Sequence, residues 1–114
     1  MLPKENRLSF KDNFNRIKKE GKLYQSESFA GILFNRNDPK PIKIGIIVSN
    51  KISKSAVERN RIKRNLRKVL LPNLIFLKSG FNLIFLAKKI IVEKNEKELT
   101  VEISKFLNEI KINK

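Results

Sequence analysis

The sequence predicts an α+β fold in which helices pack against one sheet. Three stretches carry that expectation. IKIGIIVS at 42–49 is rich in β-branched residues and reads as a strand. FNLIFLA at 81–87 is apolar on both faces, as a buried central strand is. Leu99, Ile103, Phe106 and Ile110 recur at helical spacing and mark an amphipathic C-terminal helix.

The remaining elements follow in order. Phe10, Phe14 and Ile17 share a helix face near the start, with Ser9 placed to cap it and Gly21 to stop it. From Tyr24 to Phe34 the pattern turns to strand, through Phe29, Ile32, Leu33 and Phe34. NRNDPKP at 35–41 is a turn, because Asn, Asp and two Pro disfavour regular structure. A helix runs from about Ser55 to Leu70 and stops before Pro72, since the residue before Pro avoids helical angles. LPNLIFLKSG then supplies a short helical turn and a loop. The order is helix, two or three strands, helix, strand, helix, with no repeat, linker or second domain, so residues 1–114 are expected to form one domain.

Charge narrows the function. Lys and Arg number 26 against 11 Asp and Glu, a net charge of +15. Such an excess repels itself in a compact chain and calls for an anionic partner, nucleic acid before an acidic membrane surface. The chain has no Cys, which excludes disulfides and thiolate metal sites and suits a reducing cytoplasm. It has no His, which removes the commonest general base and metal ligand and makes a self-sufficient enzyme a poor fit. MLPKENRLSFKDNF lacks the apolar run of a signal peptide. The most apolar stretch, 71–92, is broken by Lys78, Ser79, Gly80 and Asn82, short of the ~20 apolar residues a spanning helix needs. No membrane partner and no obligate protein partner are expected.

The positive charge is concentrated. Eight basic residues and one acid, Glu58, lie between Lys51 and Lys68. On a helical wheel of about 100° per residue, Ile62, Leu66, Val69 and Leu70 form one stripe for packing. Asn60, Lys63 and Arg67 form a row on one flank, and Arg61, Arg64 and Lys68 a row on the other. A merely solvated face usually mixes signs. This one is nearly single-signed and holds four Arg, whose planar fork grips phosphate in a bidentate manner. Two rows can grip two RNA elements, or one can read bases while the other holds phosphates.

VSNKISKSAVERNRIKRNLRKVL at 48–70 resembles the bacterial ribonuclease P protein subunit, through its Arg-Asn-Arg-x-Lys-Arg-x-x-Arg core at Arg59, Asn60, Arg61, Lys63, Arg64 and Arg67. Val48, Ser49 and Lys51 fit the family's strand end, and Ala56 its helix start. Arg7, Leu8 and Phe14 near the N-terminus and GFNLIFLAK at 80–88 extend the likeness over nearly the whole chain. The match departs at Asn82 and Lys88, where Asp and Arg are common, at Ser53 and Asn50, which replace a frequent Gly and Lys, and at Lys18 and Ile32, where aromatics are frequent.

The resemblance implies an α-β sandwich with a mixed central sheet and a left-handed βαβ crossover carrying the basic helix. It implies an accessory subunit of a ribonucleoprotein endoribonuclease that removes the 5′ leader of precursor tRNA by hydrolysing one phosphodiester bond. The catalytic centre would lie on the RNA subunit with Mg²⁺, and no catalytic side chain would come from this chain. Its partners would be the catalytic RNA and precursor tRNA. The RNA-binding set is Lys51, Lys54, Arg59, Asn60, Arg61, Lys63, Arg64, Arg67 and Lys68, with Arg61, Arg64 and Lys68 mainly on the catalytic RNA. The leader cleft would use Phe14, Lys18, Asn60, Lys63 and Arg67, with Phe29 or Tyr24 as further aromatic candidates. Phe14 fits a core position equally well.

Two alternatives follow from composition. A structural protein of the ribosome or another RNA particle shares the small size and high pI. An independent nuclease would need clustered carboxylates, and Glu93, Glu96 and Glu98 fit a solvated helix start better than metal ligands.

Overall fold

The computed structural model describes residues 2–9 and 14–114. Strands β1 (Lys22–Gln25), β2 (Phe29–Asn35), β3 (Lys43–Ile47) and β4 (Phe81–Ala87) form one sheet in the order β1-β2-β4-β3. β2 pairs antiparallel with both β1 and β4, whereas β3 lies parallel to β4, so the sheet is mixed. The α-helices are α1 (Phe14–Glu20), α2 (Ala56–Leu70) and α3 (Glu96–Glu109), and α2 is the crossover between the parallel strands β3 and β4. Phe10, expected on the first helix behind a cap at Ser9, lies outside the described residues.

The stretch expected as strand from Tyr24 to Phe34 is two strands, parted by a tight turn at Ser26–Ser28 that α3 holds. The Glu102 carboxylate accepts from the Ser26 hydroxyl at 2.5 Å and from the Ser28 amide at 2.8 Å. The Lys88 ammonium donates to the Ser26 carbonyl at 2.6 Å, and Lys94 pairs with Glu27. Burial raises the Glu102 carboxyl, but hydrogen bonds from Ser26 and Ser28, with Lys94 nearby, outweigh it and hold the group below its ordinary value.

The core is divided by the sheet. On one face, Ile62, Leu66, Val69 and Leu70 of α2 meet Leu99, Ile103, Phe106 and Leu107 of α3 over Phe29, Leu83 and Phe85. Phe29, Phe85 and Phe106 pack their rings with centroids 5.0–6.0 Å apart. Gly31 makes room for this, since a Cβ there would lie 2.5 Å from Cζ of Phe106. On the other face, Ile17 of α1 packs with Ile32 and Ile84, joined by Leu8, Phe14 and Leu86.

Gly21 ends α1 as expected, and crowding is its structural reason. A Cβ at Gly21 would sit 2.5 Å from the Ile17 carbonyl and 2.6 Å from Ile32. The turn at 35–41 is organised by Arg36, whose guanidinium grips both Asp38 carboxylate oxygens at 2.9 and 3.1 Å. It also donates to Asn82 Oδ1 and to the carbonyls of Phe81, Lys40 and Pro41. The Asp38 carboxyl is held below its usual range by that hydrogen bond. Gly80, at φ 89°, closes the neighbouring loop against the Asp38 carbonyl, where a side chain would clash.

Three 3-10 turns complete the described chain: Lys4–Asn6, Leu71–Phe76 and Lys89–Glu93. The second is the helical turn expected after Leu70, and the other two were not foreseen. No described helix is long and apolar enough to cross a membrane.

Candidate nucleic-acid interface

Helix α2 forms where its caps and stripe dictate. Ser55 is its N-cap, and its hydroxyl accepts from the Glu58 amide at 3.2 Å. Ile62, Leu66, Val69 and Leu70 are its buried residues, which turns the two polar rows to the sides.

β3 is an edge strand, flanked by α1 on one sheet face and α2 on the other. A cleft of about 620 Å³ opens along it. Its floor is apolar, from Leu2 and Leu8 through Ile44–Val48, and Phe14 forms part of its wall. Its cations are Arg7, Lys18, Lys63 and Arg67. Gly45 in the floor lets the wall close in, because a Cβ there would lie 3.1 Å from Leu8 and 3.5 Å from Phe14. Among the described residues, the outer edge of β3 is covered at its start, by the parallel bridge of Arg7 to Ile44 and the Leu8 amide on the Ile44 carbonyl at 3.1 Å.

Four of the five residues expected in this cleft are brought together: Phe14, Lys18, Lys63 and Arg67. Phe14 is both core and cleft, half-buried against the Ile17 cluster and lining the cleft. Asn60 does not line it; the α2 lining stops at Lys63, and Asn60 lies one turn nearer the helix start. Phe29 and Tyr24 are also elsewhere. Phe29 is fully buried in the three-ring core between the sheet and α3, because its position on β2 points it at α3. Tyr24 lies on β1, the far edge of the sheet, with the Lys22 ammonium 5.2 Å from its ring centroid. Arg7 and the aliphatic floor were missed as cleft residues, since only the fold lays the N-terminal segment along β3.

A second concavity lies at the start of α2, lined by Asn50, Lys51, Lys54 and Arg59. Arg59 is oriented by donating to the Ser53 carbonyl at 2.8 Å. Arg61, Arg64 and Lys68 line neither concavity. Arg64 and Lys68 are exposed, and Lys68 pairs with Glu96 of α3 at 3.2 Å. Among the described residues no group of three or more acidic side chains could hold a metal ion.

An edge-strand cleft with an apolar floor and cationic rim, beside a polycationic crossover helix, defines a small basic α+β protein with a surface shaped for an extended polyanion. The family model described as Ribonuclease P matches residues 2–111, and the chain belongs to that family. Among its relatives, the ribonuclease P protein component of Pseudanabaena sp. is 34% identical over 113 residues, covering 98% of this chain and 97% of the relative. That of Thermotoga maritima is 34% identical over 91 residues, covering 80% and 76%. Of solved structures, the Thermotoga maritima RNase P protein superposes with a TM-score of 0.81 at 26% identity, covering 92% of this chain and 97% of that one. The Staphylococcus aureus RNase P protein shares the fold, with a TM-score of 0.85 over 96% and 98% of the two chains at 23% identity. Family membership leaves the ribosomal-protein and independent-nuclease alternatives without support.

Proposed function

We propose that the protein binds the catalytic RNA of ribonuclease P and the single-stranded 5′ leader of precursor tRNA, and so assists Mg²⁺-dependent endonucleolytic removal of the leader in the cytoplasm. The observation that carries this is the cleft. Phe14 and Lys18 from α1 and Lys63 and Arg67 from α2 line one channel with an aliphatic floor. A single strand needs cations that follow its phosphates and apolar surface for its bases, and the channel supplies both.

The row Arg61, Arg64 and Lys68, with Lys51, Lys54 and Arg59 at the start of α2, is turned away from the channel and suits the second RNA. Arg supplies bidentate phosphate contact there. The Mg²⁺ belongs with RNA and substrate, and this chain contributes affinity and position.

The test is cleavage of a 5′-extended precursor tRNA by a bacterial ribonuclease P RNA at low, near-physiological Mg²⁺, with and without the protein. Restored cleavage at the correct 5′ position, weakened by Arg61→Ala, supports the proposal. A folded protein that gives no rescue with a cognate-type RNA overturns it.

A further inference from the structure

The row Arg61, Arg64 and Lys68 does not stop where α2 does. Leu70 and Leu71 both keep right-handed helical angles, and the Leu71 amide still bonds the Arg67 carbonyl, so the chain runs on into the 3-10 turn Leu71–Phe76. Leu71, three residues after Lys68, extends the row to the start of that turn, and Ile75 and Phe76 close the turn. Leu71, Ile75 and Phe76 are all exposed, Ile75 at 72% and Phe76 at 59%. Single exposed apolar residues are ordinary, but an aliphatic–aromatic group at the end of a cationic row is not.

The rim of this group is also basic. The Lys114 amide donates to the Phe76 carbonyl at 2.7 Å. The Lys78 amide donates to the Ile112 carbonyl at 2.7 Å, and its ammonium to the Lys111 carbonyl at 3.3 Å. The C-terminal segment thus runs back along Phe76 to Lys78, with Lys114 next to Phe76 and Lys111 next to Lys78, while Lys68 adjoins Leu71 from α2. An apolar protein partner would meet four like charges at this rim, one of them paired with Glu96. A polyanion with an apolar face would not.

We propose that Phe76 is a stacking platform for an unpaired base of the RNA that lies along α2. Phosphates would follow Arg61, Arg64 and Lys68, and the strand would end its contact with one base on the Phe76 ring, supported by Ile75. An aromatic platform within a cationic rim is how proteins hold unpaired nucleotides without reading sequence. This rests on the proposed RNA contact of α2 and adds to it a second place, distinct from the cleft, where single-stranded character is required.

The chain has no Trp, so Phe76→Trp introduces a sole indole whose fluorescence reports stacking. The probe is a transcript of bacterial ribonuclease P RNA, titrated into Phe76→Trp, Phe76→Ala and Phe76→Leu, with Arg61→Ala as reference and melting curves to establish folding. The expected result is saturable quenching of the indole, and an affinity loss of roughly five- to a hundredfold for both Phe76→Ala and Phe76→Leu, the range for losing one base stack. Binding that still depends on Arg61, with no quenching and no loss in Phe76→Ala, sinks the platform and leaves the proposed function standing. Absence of RNA binding in the unaltered chain sinks both. Full affinity in Phe76→Leu, or a chain that self-associates until Phe76→Ala disperses it, would make the patch a protein-docking surface and overturn the proposal.

Discussion

Phe14 and Arg67 stand on helices that cover opposite faces of the sheet, yet both line the same cleft at the β3 edge. An edge strand makes this possible. At a central strand the two faces never meet, whereas past the last strand a helix from each side reaches the same space. The cleft is thus a product of sheet order, β1-β2-β4-β3, as much as of its lining residues.

Cleft and row should separate in experiment. Lys63→Ala and Arg67→Ala are expected to weaken precursor tRNA affinity and to lower the slope of log K against log salt by about one each, if each holds one phosphate. Phe14→Ala should cost ~1–3 kcal/mol of precursor affinity through lost stacking. Arg61→Ala and Arg64→Ala should weaken assembly with the catalytic RNA instead. Filter binding to each RNA, at several salt concentrations, checks this, and defects that do not separate would refute the division.

Gly31 should tolerate no side chain. Gly31→Ala places a methyl 2.5 Å from Cζ of Phe106, a ring already braced by Phe29 and Phe85. Overpacking of this kind costs about 1–3 kcal/mol, measurable by denaturant unfolding. Phe106→Leu in the same chain should recover part of that loss, whereas an additive double variant would argue against the clash.

Arg36→Met should destabilise by about 2–3 kcal/mol while leaving RNA affinity nearly unchanged. The side chain is apolar and of similar length, but it strands the Asp38 carboxylate, the buried Asn82 Oδ1 and the carbonyls that the guanidinium now satisfies. Urea unfolding alongside RNA titration reads both quantities.

Glu102 should contribute to the acid limb of stability. Its carboxyl sits below the unfolded value of about 4.5, so its stabilisation is present above that pH. It is lost as pH falls through the lower folded value, because protonation is then forced on a group that the Ser26 and Ser28 donors hold ionised. Melting temperatures measured from pH 6 down to pH 3 should fall more steeply in the unaltered chain than in Glu102→Gln. The variant should also melt lower at pH 7, since an amide is a weaker acceptor for those donors.

What the sequence made legible was whatever its own period could express. The stripe Ile62, Leu66, Val69 and Leu70, the strand 81–87 and the end of the α-helix at Leu70 are local patterns that the structure holds. Leu71, before Pro72, nevertheless keeps helical angles instead of avoiding them and leads into a 3-10 turn. The placement of Lys63 and Arg67 on a common flank came from the same wheel. The break between β1 and β2 was invisible because it depends on Glu102, 76 residues from Ser26 in the chain. The assignment of Phe29 to core was hidden for a like reason: on a strand, either face fits an aromatic until the helices are placed. Asn60 shares a row with Lys63, but periodicity fixes a flank without saying where along it a cleft ends. Gly31 carries no pattern signal inside a strand, and only Phe106 explains it.

The open edge of β3 has one more consequence, for the chain before it meets RNA. An unpaired strand edge is a template on which a second copy could add its own strand and begin a growing aggregate. Past Ile44 this edge has no strand partner among the described residues, and it carries Ile46, Ile47 and Val48. The guard is electrostatic. Any copy approaching edge to edge must bring its Lys18, Lys63 and Arg67 against the same three charges, on molecules that each carry +15. The cations at the cleft should therefore also hold free copies apart, and a short polyanion that neutralises the rim without filling the cleft should promote aggregation.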